Sequence, residues 1–168
     1  MIDGFIKAAC GVPEIEVADC RTNRERIREK IGEMERLGAK IMVLPELCIT
    51  GYTCGDLFWQ TVLLREAREA LLWLAEVTRG VDALIFVGLP LEVHGKLFNV
   101  AAALKGGRIL GLIPKRNIPA YAEFYEGRHF TPGPEAVTDI VIGEGQVPFG
   151  TRQLFVCETM PELKVAAE

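Results

Sequence analysis

The run IMVLPELCITGYTCGDLFW, Ile41–Trp59, decides how the rest of the chain is read. Four apolar residues, Ile41 to Leu44, lead into Pro45 and Glu46. A short apolar run after a helical segment reads as a buried strand of an α/β sheet. Pro45 lacks an N–H and suits the end of that strand. Glu46 is thereby delivered to the carboxyl end of a buried strand, where open α/β sheets bind ligands. A carboxylate beside apolar surface must be paired or hydrogen-bonded, and burial can raise it into general-base range. Gly51-Tyr52 and Cys54-Gly55-Asp56 supply two glycine turns that fold the chain back over it. Spacing alone leaves two readings open: a catalytic carboxylate, or an exposed strand-end glutamate.

Upstream, Phe5 to Val12 is strand-compatible and stops at Pro13. Asp19 to Asn23 offers capping side chains. Ile27, Ile31, Met34 and Leu37 then share one helical face, and Gly38 is a left-handed stop. With the strand at 41–45 this makes a β-α-β unit with a right-handed crossover. Downstream, Asp56 is placed to cap a second helix whose inner face is Leu63, Ala67, Ala70, Leu71, Leu74 and Val77, ending at Gly80. Ala83 to Leu89 reads as a strand closed by Pro90. His94-Gly95 is a turn, Leu97 to Leu104 a strand, and Gly106-Gly107 a hairpin turn into Arg108 to Ile113. Strands are expected again at Thr138–Ile142, Gln153–Cys157 and Leu163–Ala167, after a long loop over 116–136.

The 168 residues suffice for one domain with a real core. A net charge of −4 gives no ground for nucleic acid or an anionic membrane as partner. No apolar run approaches the roughly 18 residues that span a bilayer. MIDGFIKAAC lacks the basic and apolar regions of a secretory signal. Five scattered cysteines point to reduced thiols and a cytoplasmic setting. Cys48 and Cys54 have no nearby histidine and no zinc spacing. Phosphate-loop and Rossmann glycine patterns are absent from the sequence.

Lys115 follows an apolar strand and a proline, as Glu46 does, so the two side chains are expected to meet in one cleft, within about 4 Å. A lysine shielded beside a carboxylate can hold an oxyanion. A solvated strand-end lysine is the plainer alternative. Long irregular loops such as 116–136 are often functional.

PELCITGY resembles the first motif of the nitrilase, or carbon–nitrogen hydrolase, superfamily. TGYTCGDLF is similar to the amino-terminal glutaminase domain of the glutamine-dependent NAD synthetase family, and PKRNIPAYAEFYEGRHFTPG looks like the second superfamily motif. The resemblance implies an α/β fold, a nitrilase-type α-β-β-α sandwich incomplete at its carboxyl end, with residues 1–168 the first part of a glutaminase domain. It implies Glu46 and Lys115 as catalytic, and Tyr52, Tyr121 and Glu123 as substrate-binding. Glu126 is left without a role. It implies glutamine as substrate, a homo-oligomer, and no cofactor or metal in this domain. ATP and Mg would belong to a separate synthetase domain.

The superfamily nucleophile is a cysteine in a pattern close to Ile-Cys-Glu-Asp, and a thiol needs a base beside it. Val156-Cys157-Glu158 is followed by Thr159 and comes one strand early. Cys157 is therefore expected to be a buried strand thiol away from Glu46 and Lys115. Leu163–Glu168 resembles the strand that leads into the nucleophile, which implies a chain stopping about two residues before it. Two other readings stand beside the glutaminase: a free-standing amidase or nitrilase, and a non-catalytic assembly module.

Overall fold

The computed structural model describes residues 4–119, 121 and 125–168. Its strands are β1 (Ala8–Cys10), β2 (Ile41–Val43), β3 (Leu84–Val93), β4 (Lys96–Lys105), β5 (Arg108–Pro114), β6 (Thr138–Ile142), β7 (Gly145–Phe149), β8 (Phe155–Cys157) and β9 (Met160–Val165). The helices are α1 (Cys20–Arg36), α2 (Thr61–Val77) and α3 (Glu126–His129), with a 3₁₀ helix over Gly55–Trp59. Seven strands form one mixed sheet in the order β1-β2-β3-β4-β5-β7-β6. Strands β1, β2 and β3 are parallel, while β4 is antiparallel to both β3 and β5. Two reversals restore direction, so β5 points the same way as β2. That puts the ends of β2 and β5, and hence Glu46 and Lys115, on one edge.

Helix α1 begins where Asp19 accepts the Thr22 N–H at 2.9 Å and ends before Gly38 at φ 76°. Ile27, Ile31 and Met34 are buried as the periodicity demands, whereas Leu37 is the exposed C-cap. In α2 the inner face is Leu63, Ala67, Ala70, Leu71 and Leu74, and Val77 is exposed. Both helices build the larger core on one side of the sheet. On the other side Phe86, Ala103 and Ile113 pack with Phe155 and Val165 of the β8–β9 hairpin and with Ala167 just beyond it.

Besides the exposed Leu37 and Val77 and the short helix α3 inside the 116–136 loop, three further features depart from the sequence pattern. Strand β3 runs through Pro90, which pairs with Asn99, because the register from Ile85↔Leu104 to Val93↔Lys96 carries it on; a proline removes only one ladder donor. Asp56 does not cap α2, whose N-cap is Gln60. Strand β7, GQVPF, was absent from the sequence reading; a glycine and a proline in five residues mask it, and its pairing with β6 across the Gly143-Glu144 turn forms it. No helix among the described residues is long and apolar enough to cross a membrane.

Candidate active site

The Glu46 corner is a sharp turn pressed into the sheet. Leu44 donates its N–H to the Phe86 carbonyl at 3.0 Å, the last rung before the chain turns. Leu47 adopts φ 52° although it is a buried leucine. Gly51 N–H closes onto the Leu47 carbonyl at 2.7 Å, and Ile49 N–H onto that of Gly88 at 3.2 Å. Gly88 lies directly beneath. A Cβ there would stand 2.4 Å from the Leu47 nitrogen and 2.6 Å from the Pro45 carbonyl oxygen, so only glycine fits. Buried Asn23 braces the turn from α1, donating to the Ile49 carbonyl at 3.0 Å and the Glu16 carbonyl at 2.7 Å.

Lys115 is held by the same kind of device. Its N–H donates to the Asn99 carbonyl at 2.7 Å, and its carbonyl accepts from Gly133 N–H at 2.9 Å. A Cβ on Gly133 would lie 2.6 Å from the Pro114 carbonyl oxygen.

These two corners bring the charged groups together. Lys115 Nζ lies 2.7 Å from Glu46 Oε1, and 2.9 and 3.0 Å from the two oxygens of Glu126. Asn99 Nδ2 donates to Glu46 Oε1 at 2.6 Å and stands 3.5 Å from Glu126 Oε2. Tyr52 donates its hydroxyl to Glu126 Oε1 at 2.9 Å. Glu126 is the buried carboxylate, 5% exposed, while Glu46 at 39% faces the opening. The shielding expected at Glu46 thus falls on Glu126 instead. Desolvation pulls the Lys115 ammonium down, but its bonds to Glu46 and Glu126 more than offset this and leave its pKa raised. Burial, then the Glu126 hydrogen bond, push the Tyr52 phenol up to about 12, so it remains a donor at neutral pH.

A cleft of about 600 Å³ opens over this cluster, walled by Val43, Phe86, Ile113 and Val165 beside Glu46 and Lys115. Ion pairing at the end of an apolar groove suits a neutral polar substrate whose reacting carbonyl gains charge.

Glu46 and Lys115 therefore meet within the expected distance. Tyr52 lands on Glu126. Glu123 lies outside the described residues, and Tyr121 is 69% exposed in the segment before α3. The buried carboxylate eleven residues past Lys115, Glu126, and the amide of Asn99 were both unassigned by sequence. Asn99 had left a signal: it is the lone polar residue inside LFNVAAAL. Asp56, read as a cap, instead takes Arg128 through two bonds of 3.1 Å and ties the 3₁₀ helix to α3. His129 and Phe130 pack edge-on to Phe58, closing the same joint.

The cysteines divide clearly. Burial pushes Cys20 and Cys48 up to about 12. Cys54 is also buried, its thiol on the Thr50 carbonyl at 3.1 Å, and desolvation raises it. Cys157 is half-buried rather than buried, because β8–β9 is a two-stranded hairpin with one side to solvent. Thr159 at 3.4 Å lowers its pKa. Cys157 pairs with Met160 beside the hairpin turn, whereas Val165, which lines the cleft, pairs with Phe155 at the other end.

The profile of the carbon-nitrogen hydrolase family matches residues 7–166. The glutamine-dependent NAD(+) synthetase of Mycobacterium tuberculosis strain H37Rv is 32% identical over 158 residues, 94% of this chain and 23% of its own length. That of Thermotoga maritima is 32% identical over 142 residues, 84% of this chain and 23% of its own. Among solved structures, a glutamine-dependent NAD(+) synthetase from Cytophaga hutchinsonii superposes with a TM-score of 0.84 at 28% identity, covering 91% of this chain and 26% of that one. A nitrilase-superfamily amidase from Nesterenkonia AN1 shares the fold, with a TM-score of 0.65 at 20% identity over 85% of this chain and 54% of its own. The chain spans about a quarter of the length of the curated relatives it matches.

Proposed function

The chain belongs to the carbon-nitrogen hydrolase family, and from that premise we propose that it is the amide-hydrolysing part of a glutamine-dependent NAD synthetase. The observation that carries the reading is Lys115 Nζ held between Glu46 and Glu126 at the end of an apolar cleft. The Mycobacterium tuberculosis relative, matched over 94% of the chain, is named a glutamine-dependent NAD(+) synthetase, which supports glutamine as the amide.

In this reading Glu46 takes the proton of a cysteine thiol, and the sulfur attacks the side-chain carbonyl carbon of glutamine. Lys115 steadies the resulting oxyanion. Glu46 returns the proton to the departing nitrogen, the C–N bond breaks, and ammonia leaves a thioester. Glu46 then takes a proton from water, which attacks the thioester, and glutamate is released as the thiol is restored. Glu126 keeps Lys115 charged and aimed. The ammonia is consumed in an amidation that makes NAD, with ATP and Mg handled by a separate synthetase domain. Tyr52, Tyr121 and Glu123 are proposed to contact glutamine.

None of the five cysteines of this chain lines the cleft, and Cys10 is exposed on β1. Cys20, Cys48 and Cys54 are raised by burial, and Cys157 pairs with Met160 at the turn of the β8–β9 hairpin, the end opposite the cleft-lining Val165. Residues 165–168 line the cleft beside Glu46 and Lys115, so a cysteine following β9 would enter it. We therefore propose that glutamine turnover needs a cysteine beyond those of residues 1–168.

The test is ammonia release from glutamine, and from acetamide as a simple amide, by this chain and by a longer one carrying the cysteine after β9. Glutamine turnover confined to the longer chain is expected. Equal turnover by both would return Cys157 to the site. Turnover of acetamide with none of glutamine would favour a free-standing amidase.

A further inference from the structure

We infer that Asn99 is a positioning residue that decides which oxygen of Glu46 carries protons. The inference rests on Glu46 being the proton carrier proposed above. Asn99 lies in β4 between buried Phe98 and Val100 and is itself 3% exposed. A buried amide in an apolar strand is costly unless its polar atoms are bonded. Here it holds both charged corners. Its side chain donates to Glu46 Oε1 at 2.6 Å, and its main-chain carbonyl accepts the Lys115 N–H at 2.7 Å. The amide has one workable orientation: turned over, its carbonyl oxygen would face the carboxylate.

The same Oε1 also receives Lys115 Nζ at 2.7 Å. Two donors, one of them an ammonium, thus converge on one oxygen. Among the described residues, no donor bonds to Oε2 of Glu46. A proton arriving at Oε1 would have to displace a donor and would meet its hydrogen, whereas Oε2 takes it without loss. Oε2 is therefore the oxygen that exchanges protons, and Oε1 the oxygen that anchors. Lys115 alone would not enforce this, because a carboxylate held by one flexible ammonium can rotate and exchange its oxygens. Asn99 is fixed by strand pairing on both sides, to Pro90 and by its carbonyl to Lys115. It locks the carboxylate plane.

The first test uses this chain and needs no turnover. The side-chain NH₂ signals of Asn99, identified by their loss in Asn99→Leu, are followed by ¹⁵N–¹H NMR. One of the two protons should lie well downfield of an ordinary amide and return to the ordinary range in Glu46→Leu. Two ordinary signals, or a downfield one indifferent to Glu46→Leu, would overturn the inference. The second test uses the longer, cysteine-bearing chain. Asn99→Leu should lower kcat for glutamine about 10- to 100-fold while KM moves less than about threefold, since a lost donor at a proton carrier acts on the chemical step. An unchanged kcat would overturn the positioning role. A native longer chain that releases no ammonia from glutamine would instead defeat the functional reading, and the NMR signature would still decide what Asn99 holds.

Discussion

Each end of β4 carries a three-member ion cluster, and the two have inverted composition. Near Asn99 one ammonium sits between two carboxylates, Glu46 and Glu126. At Lys105 one carboxylate, Asp82, sits between two ammoniums, those of Lys40 and Lys105, each at 2.8 Å. The contact distances hardly differ. The surroundings do: Asp82 is 77% exposed and Glu126 is 5% exposed. Water and salt screen the Asp82 cluster, and its lysines must be ordered to form it. The Glu126 cluster is anchored through backbone turns, shares a buried amide, and opens on a cleft. Contact geometry alone does not separate a site from a surface ion network; burial and backbone support do.

Removing Glu126 should produce the largest effect. Glu126→Leu leaves Lys115 with one partner and Tyr52 with none of its present one. A loss of about 3 kcal/mol in urea unfolding is expected, with at least a ~100-fold fall in glutamine turnover of the longer chain. Removing Asp82 in the same way should cost under ~1 kcal/mol. Equal losses from the two variants would erase the distinction drawn between the clusters.

Backbone support is tested at Gly88. Gly88→Ala puts a methyl 2.4 Å from the Leu47 nitrogen, and the Pro45–Leu47 turn must move. Destabilisation of about 2 kcal/mol or more is expected, with lost turnover because Glu46 moves with the turn. Gly80→Ala, with nothing within 4 Å of the new methyl, is the control and should melt like the native chain. A Gly88→Ala protein with native stability and native turnover would show that the corner is not held from below.

The unequal legibility of these parts has physical causes. Periodicity found α1 and α2 because one helical face is buried, and it failed only at Leu37 and Val77, where the helix leaves the core. Proline and apolar runs located the Glu46 and Lys115 corners, since strand ends are local features. Their meeting depended on the two reversals between β3 and β5, signalled by His94-Gly95 and Gly106-Gly107, all at positive φ. Glu126 was not legible as the buried partner. Its burial comes from α3 docking on the 3₁₀ helix through Asp56, Arg128 and Phe58, contacts more than 70 residues apart in sequence for the ion pair. Strand β7 was hidden because its existence depends on β6 rather than on its own composition.

A smaller effect should appear at alkaline pH. Tyr52 and Lys115 both have folded pKa values above their ordinary ones, near 10 and 10.5 respectively. Below about 10 both are protonated folded and unfolded, and the cluster's contribution is complete. As the pH rises the unfolded chain releases these protons first, so folding stability falls from about pH 10 towards 12. Denaturant unfolding at successive pH values should show that decline, and Tyr52→Phe should flatten it. A decline just as steep in Tyr52→Phe would mean that the phenol is not coupled to Glu126.

The smallest expected effect lies at the exposed cluster and has the opposite sign with pH. The Asp82 carboxyl is held down to about 2, first by Lys105 and then by Lys40. Its contribution is present above the ordinary carboxyl value of 3.8 and is lost as the pH falls towards 2. Because the group is mostly in water, the contribution is under ~1 kcal/mol and should shrink further in 1 M salt, where the screening length is about 3 Å. Asp82→Asn compared with the native chain at pH 7, in low and high salt, measures it. A difference that survives high salt would place Asp82 in the same class as Glu126, and burial would no longer be what separates the two ends of β4.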